Sequence, residues 1–182
     1  MNILLSVAEK HFALKDYLDL LTGMDGDARN GQKGEDTEKI ENHLKNNGQN
    51  QEKMTALFYA IRSGHGGFLE IINILVKNGC SVDIQDHLGK TPLHYASELG
   101  QDDTLEILLN AKANPDIQDK ADGKTPLHEA IENGQFNSVQ ILCEQGHADV
   151  HIQDTKSGNT LLHYSAVGQG NATLYIKYLC EK

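Results

Sequence analysis

The sequence predicts an all-α solenoid: stacked helix–turn–helix units with β-hairpin-like fingers between them, about four repeats behind an N-terminal helical cap. Three observations lead there. A six-residue phrase recurs as TALFYA at 55–60, TPLHYA at 91–96, TPLHEA at 125–130 and TLLHYS at 160–165, with its threonines 36, 34 and 35 residues apart. A second phrase stands upstream of the last three, as DIQD at 83–86 and 116–119 and HIQD at 151–154, each followed by a glycine and then the next threonine. Two phrases held in register three times mark an internal repeat. The third observation is composition. Only 38% of the 182 residues are hydrophobic, Trp is absent, and Tyr and Phe number 6 and 4. That is lean for one deep core but suits a thin stack in which each unit covers its neighbours.

Each element follows from local chemistry. Thr91 before Pro92 starts a helix, because threonine caps and proline is tolerated in the first turn. Leu93 and Ala96 then share one side, and small Ala96 lets a neighbouring helix approach. Gly100 ends the helix in a left-handed turn. Thr104 to Asn110 forms a second helix with Leu105, Leu108 and Leu109 inward, and Asn114-Pro115-Asp116 is turn chemistry. The other units repeat this plan: Gly64 and Gly134 end first helices, Leu75-Val76 and Leu142-Cys143 are paired apolars of second helices, and Gly79 and Gly146 end those. The Asp after each Ile-Gln (Asp86, Asp119, Asp154) is expected to accept backbone amides inside its finger.

Before the repeats, Leu5, Ala8, Leu18, Leu20, Leu21 and Gly23 echo a degenerate helix pair. Met24 to Glu35 reads as a loop, and Asp36 to Asn47 as a helix closed by Gly48. The whole is read as one domain, 1–182: a cap at 1–53, repeats at 54–90, 91–124 and 125–159, and a partial repeat at 160–182.

On these phrases, glycines and paired apolars the chain resembles the ankyrin repeat family over 54–182, and weakly before that. The family's unit of about 33 residues carries the T-P-L-H-x-A phrase. Departures from the pattern are local. The first spacing is long, with its surplus in Ser63-Gly64-His65-Gly66-Gly67, read as an enlarged turn. Lys120-Ala121-Asp122 and Thr155-Lys156-Ser157 each hold one residue more than His87-Leu88, and His147 is an extra residue. Phe58 replaces the usual histidine. Lys112 stands where the family has glycine, so that helix end is expected to turn less sharply.

Several function classes are disfavoured. The net charge of −10 repels phosphate, so neither nucleic acid nor an anionic membrane is an expected partner. No apolar run reaches the roughly 18 residues of a membrane helix, and the N-terminus is too charged for a secretory signal. Cys80, Cys143 and Cys180 are odd in number and lack CxxC spacing, so they read as apolar filler in a reducing, cytoplasmic setting.

The chemically suggestive motifs each fail at a required residue. Gly89-Lys90-Thr91 and Gly123-Lys124-Thr125 resemble the tail of a phosphate loop, but Ile84 and Gln118 stand where its first glycine belongs. His128-Glu129 lacks the second histidine of a zinc protease, since Glu132 occupies that place. His65-Gly66-Gly67 has no matching nucleophile turn. The loop 25–36 places acids at calcium-ligand positions, but Arg29 occupies one of them and the turn glycine falls late, at Gly31. No catalytic residue, metal ligand or cofactor is therefore expected. His94, His128 and His163 are expected to bond backbone across helix starts, one repeat apart and too far from each other to share a metal.

The family resemblance implies a concave surface of finger tips and exposed first-helix positions that binds another protein. Carried onto this chain, the positions are His87, Leu88, Lys90, Glu98, Leu99, Lys120, Lys124, Glu132, Asn133, Lys156 and Asn159. Leu88 and Leu99 stand out as apolar residues at exposed positions, suited to an interface core. The implied function is a monomeric, non-catalytic adaptor or masking inhibitor in the cytoplasm. The alternative is a pathogen effector in host cytosol, similar to inhibitor-of-NF-κB-like viral ankyrin proteins or to bacterial effectors, and a remote alternative is calcium binding through the 25–36 loop.

Overall fold

The computed structural model describes residues 50–63, 68–168 and 172–181. The expected cap helices before residue 50, the 25–36 loop and the enlarged turn at 64–67 lie outside the described residues. The elements are α1 (Asn50–Ser63), α2 (Phe68–Lys77), α3 (Pro92–Leu99), α4 (Asp102–Asn110), α5 (Pro126–Glu132), α6 (Phe136–Glu144), α7 (Leu161–Val167) and α8 (Ala172–Cys180). No strand occurs among the described residues. These residues fall into two compact units, 50–60 with 68–80, and 61–63 with 81–181.

In the first unit, Ala56, Leu57 and Ala60 of α1 and Ile71, Ile72, Ile74 and Leu75 of α2 are buried. Glu70 in the first turn of α2 and Lys77 in the last complement the helix dipole. The helix closes as expected at Gly79, whose φ of 78° is left-handed. The Cys80 amide then returns to the Leu75 carbonyl at 3.1 Å.

The second unit stacks three helix pairs. α3, α5 and α7 form one layer of first helices, α4 packs on α6, and each first helix packs on its own second helix. Leu93, Leu127, Ala96 and Ala130 are fully buried between layers, as are Leu105, Leu108, Val139 and Leu142 from the second helices. Aromatic edges join α6 to α8: Phe136 lies 5.4 Å from Tyr175 and 5.6 Å from Tyr178, centroid to centroid.

The first-helix starts have one design. Thr91, Thr125 and Thr160 are extended N-caps, and each receives the histidine three residues on. The Thr91 amide donates to His94 Nδ1 at 3.0 Å, with the threonine hydroxyl 2.8 Å from the same atom. That backbone donor fixes the tautomer: the ring proton sits on Nε2, which donates to the Lys124 carbonyl of the next repeat at 3.0 Å.

Two helix ends differ from expectation. Lys112 is left-handed, with φ 69°, and the Ala113 amide bonds the Leu108 carbonyl at 3.0 Å. The end is therefore as sharply turned as a glycine would make it. Tertiary packing of the buried Ala113 overrides the side chain's preference. At the end of α6 the left-handed residue is His147, φ 54°, rather than Gly146, because the additional residue moves the turn one place on.

Candidate partner-binding surface

The fingers position the expected surface, and a carboxylate organises each of them. Asp86 Oδ1 accepts the Leu88 and Lys90 amides, both at 2.9 Å. Asp119 Oδ1 accepts those of Asp122, Gly123 and Lys124, and the Asp154 carboxylate those of Ser157 and Asn159. A backbone bond from the Asp amide closes each base: Asp86 to the Lys90 carbonyl at 3.0 Å, Asp119 to Lys124 at 2.8 Å and Asp154 to Asn159 at 3.0 Å. With the carboxylate holding the tip amides, the finger needs no strand ladder. Asp86 and Asp154 also accept the hydroxyls of Tyr95 and Tyr164, at 2.6 and 2.9 Å. The bonds to Asp86 outweigh its desolvation, and its pKa falls below the ordinary value. Burial and the same bond raise the Tyr95 phenol to about 12.

Other parts of the same phrases tie one finger to the next. Gln85 Nε2 donates to its own finger at Gly89 O, 2.8 Å, and to Gln118 O of the next, 3.3 Å. Gln118 does the same to Gly123 O and Gln153 O. Asp83 and Asp116 accept the amides of Asn114 and Asp149, each 2.8 Å away and one repeat on. Sequence reasoning assigned roles to the second Asp of DIQD and missed the Gln and the first Asp. Their recurrence in register was the available signal.

Of the predicted surface residues, His87, Leu88, Leu99, Lys120 and Lys156 are exposed, with Leu88 at 41% and Leu99 at 46% of full exposure. The two apolar side chains thus lie in solvent on a finger tip and at the end of a first helix. Leu88 also contributes its carbonyl, which accepts the Lys120 amide at 2.8 Å. Asn133 is half-buried, and its side-chain amide donates to Glu129 O at 3.0 Å within its own helix end. Asn159 is half-buried at the base of its finger.

Lys90 and Lys124 are differently employed. Lys90 Nζ lies 2.9 Å from Glu98 and 2.8 Å from Glu129, its side chain only 17% exposed, so it bridges two repeats. Lys124 Nζ lies 2.6 Å from Glu132 and 3.9 Å from Asp122, at 13% exposure. Burial opposes the charge of both lysines, yet their acidic partners hold both pKa values above the ordinary one. Burial lifts the Glu129 carboxyl above its usual value, and Lys90 offsets part of that lift. Each lysine also stands over an aromatic ring, Lys90 at 5.5 Å from the Tyr95 centroid and Lys124 at 5.3 Å from that of Tyr164. Arg62 lies 5.5 Å from the same Tyr95 ring. Lys156, exposed at its tip, pairs with Asp122. The carboxylates nearest these lysines are thus neutralised within the unit.

The predicted histidines do not form a shared site. His94 and His128 are buried at their helix starts and His163 is exposed. Among the described residues no group of three His, Cys, Asp or Glu could hold a metal ion. His128 keeps its Nδ1 bond to the Thr125 amide at 3.2 Å, while its Nε2 is buried without a hydrogen-bond partner. The equivalent carbonyl, of Asn159, is near enough to favour the charged ring but misses hydrogen-bond geometry. Tyr164 closes edge-on over the ring, with centroids 5.1 Å apart.

Comparison with known proteins bears on the phrases just described. The family description of ankyrin repeats in three copies matches residues 28–119 and 111–182. The chain belongs to the ankyrin repeat family. Over 74 residues it is 38% identical to a protein of Acanthamoeba polyphaga mimivirus described as ankyrin repeat protein L92. That match covers 41% of this chain and 17% of the viral protein, so the ankyrin chain spans a small part of its relative's length. Ankyrin repeats generally mediate protein–protein interaction, and the family is generally non-catalytic. No described helix is long and apolar enough to cross a membrane.

Proposed function

We propose that this ankyrin chain is a non-catalytic module that binds a partner protein across its finger tips and exposed first-helix positions, as adaptor or masking inhibitor in the cytoplasm. The observation that carries this reading is the exposure of Leu88 and Leu99. Both leucines stand in solvent within repeats whose other large apolar residues are mostly buried. Apolar anchors of this kind, ringed by charge, let a few residues dominate affinity. His87, Lys120 and Lys156 supply the polar rim. Lys90, Lys124, Glu98 and Glu132 set its shape as paired charges and contribute less as free ones. The same ion pairing supports the view that the surface meets a protein rather than a polyanion, since its best-placed cations are already committed.

The test is a pull-down from eukaryotic cytosol followed by binding measurements on the captured protein. Changing Leu88→Ala and Leu99→Ala together is expected to weaken binding by about 2 kcal/mol or more and leave the circular dichroism melt unchanged. Wild-type affinity in the folded double variant would move the interface elsewhere.

A further inference from the structure

Seven residues after the threonine of the repeated phrase stands a charge in three consecutive repeats: Arg62, Glu98 and Glu132. In two of them the charge is met from within. Glu98 pairs with Lys90 at 2.9 Å and Glu132 with Lys124 at 2.6 Å, each lysine coming from the finger just before that helix. Arg62 differs. It belongs to the second unit and is exposed, and among the described residues no carboxylate lies within ion-pair distance of it.

The arginine is nevertheless held in place. Gln101 Nε2 donates to the carbonyl of the preceding residue, Ile61, at 2.7 Å, and Ile61 is fully buried. The guanidinium lies over the Tyr95 ring, whose hydroxyl is bound by Asp86 at 2.6 Å. An arginine ordered in this way loses less freedom on meeting a partner, and its planar fork keeps donors for a carboxylate. Both exposed leucines adjoin the same ring. Tyr95 and Leu99 stand four residues apart on α3, which makes them neighbours on one helix face. Asp86 joins Leu88 to Tyr95, because it accepts the amide of the first and the hydroxyl of the second. Arg62, Tyr95, Leu88 and Leu99 thus share one patch.

Resting on the reading of Leu88 and Leu99 as partner anchors, we propose that the protein segment seated on them presents an aspartate or glutamate to the Arg62 guanidinium. The partner chemistry is then an acidic side chain beside apolar ones within one short segment. Charge complementarity selects the acid. Lys90 stands over the same ring, but Glu98 and Glu129 neutralise it, which leaves Arg62 as the cation of the patch that an incoming carboxylate meets. A basic segment would face Arg62 uncompensated. A polyanion would bring further negative charge against half-exposed Glu98. The pair gains from its surroundings, since apolar contacts at Leu88 and Leu99 exclude water beside it and a fork-to-carboxylate bond strengthens as water leaves.

The experiment selects a displayed library of random peptides on the full chain and discards those that also bind the variant carrying both Leu88→Ala and Leu99→Ala. Retained peptides are expected to share an Asp or Glu at a fixed spacing from apolar residues. Fluorescence anisotropy should show Arg62→Glu and Arg62→Gln each weakening such a peptide at least tenfold, with unchanged circular dichroism melts. Arg62→Lys, which keeps the charge but not the fork, should fall between. Replacing the shared acid of the peptide by Lys should restore its binding to the Arg62→Glu variant. Peptides that need both leucines but share no acid, or that bind Arg62→Glu as tightly as the parent, would overturn the role of Arg62 and leave the leucine surface standing. Failure to retain any peptide would overturn both. Self-association of the chain alone that Arg62→Glu abolishes would assign the patch to a second copy and overturn the proposal equally.

Discussion

Lys112 holds a left-handed backbone, φ 69°, without being glycine, and it is exposed. A residue with a Cβ is disfavoured there by about 1–2 kcal/mol, while glycine brings back part of that as unfolded-state entropy. Lys112→Gly is therefore expected to raise stability by about 0.5–1 kcal/mol, read as a higher urea midpoint at unchanged slope. Lys90 runs the other way. Its ammonium sits between Glu98 and Glu129, and Glu129 is only 5% exposed. Lys90→Met keeps the volume but leaves a buried carboxylate unpaired, and the expected loss is about 2 kcal/mol or more. A loss near zero would mean that Glu129 finds water or protonates cheaply. Leu88 and Leu99 were legible in the sequence as exposed apolar residues because the repeat frame says which positions face out. The internal use of Lys90 and Lys124 was not, since Glu98, Glu129 and Glu132 pair with them eight residues on in chain or one repeat away. The stacking of repeats reveals Lys90–Glu129, and the fold of each finger back over its own first helix reveals the other two.

At the scale of the element, helices were easier to read than fingers. Thr–Pro starts, Gly100 and the apolar pairs each act within a few residues, so α3 through α6 fall where the phrases put them. The role of Asp86, Asp119 and Asp154 was also local and therefore legible. The glutamines were not, because half of each one's function is a bond to the next finger, 33 residues on for Gln85 and 35 for Gln118. Asp119 gives the sharpest test of the finger. Its Oδ1 receives three amides, and the residue is buried at 6% exposure. Asp119→Ala leaves those amides without their acceptor and is expected to cost about 2–3 kcal/mol. Hydrogen exchange should quicken first at Asp122, Gly123 and Lys124. Uniform quickening across α3 and α5 instead would show that the carboxylate supports the stack rather than the finger.

For the second unit as a whole, the histidines that close the helix starts make stability depend on pH. Burial pushes His128 down to about 4, opposed by Asp154 and Asp119 and reinforced by Lys124. His94 is lowered as well, again by burial first. An imidazole whose pKa is lower in the folded state binds fewer protons there than in the unfolded chain. Its contribution is complete above about 6.5 and is lost as pH falls from there toward about 4, which for His128 alone amounts to about 3 kcal/mol. The carboxylates act elsewhere. Asp86, Asp122 and Asp154 are lowered from 3.8, so their stabilisation is present above that value and fades below it. Glu129, raised by burial, takes up its proton more readily when folded and offsets a little of the loss near its own pKa. The steep part of the curve between pH 6.5 and 4 therefore belongs to histidine. His128→Asn tests this, because the amide oxygen can stand where Nδ1 accepts the Thr125 amide, yet the side chain does not titrate. Urea melts at pH 7 and pH 5 should show a smaller stability difference in the variant than in the parent, whatever the variant's stability at pH 7. An equal difference in both proteins would place the acid sensitivity in other groups and remove His128 from the account.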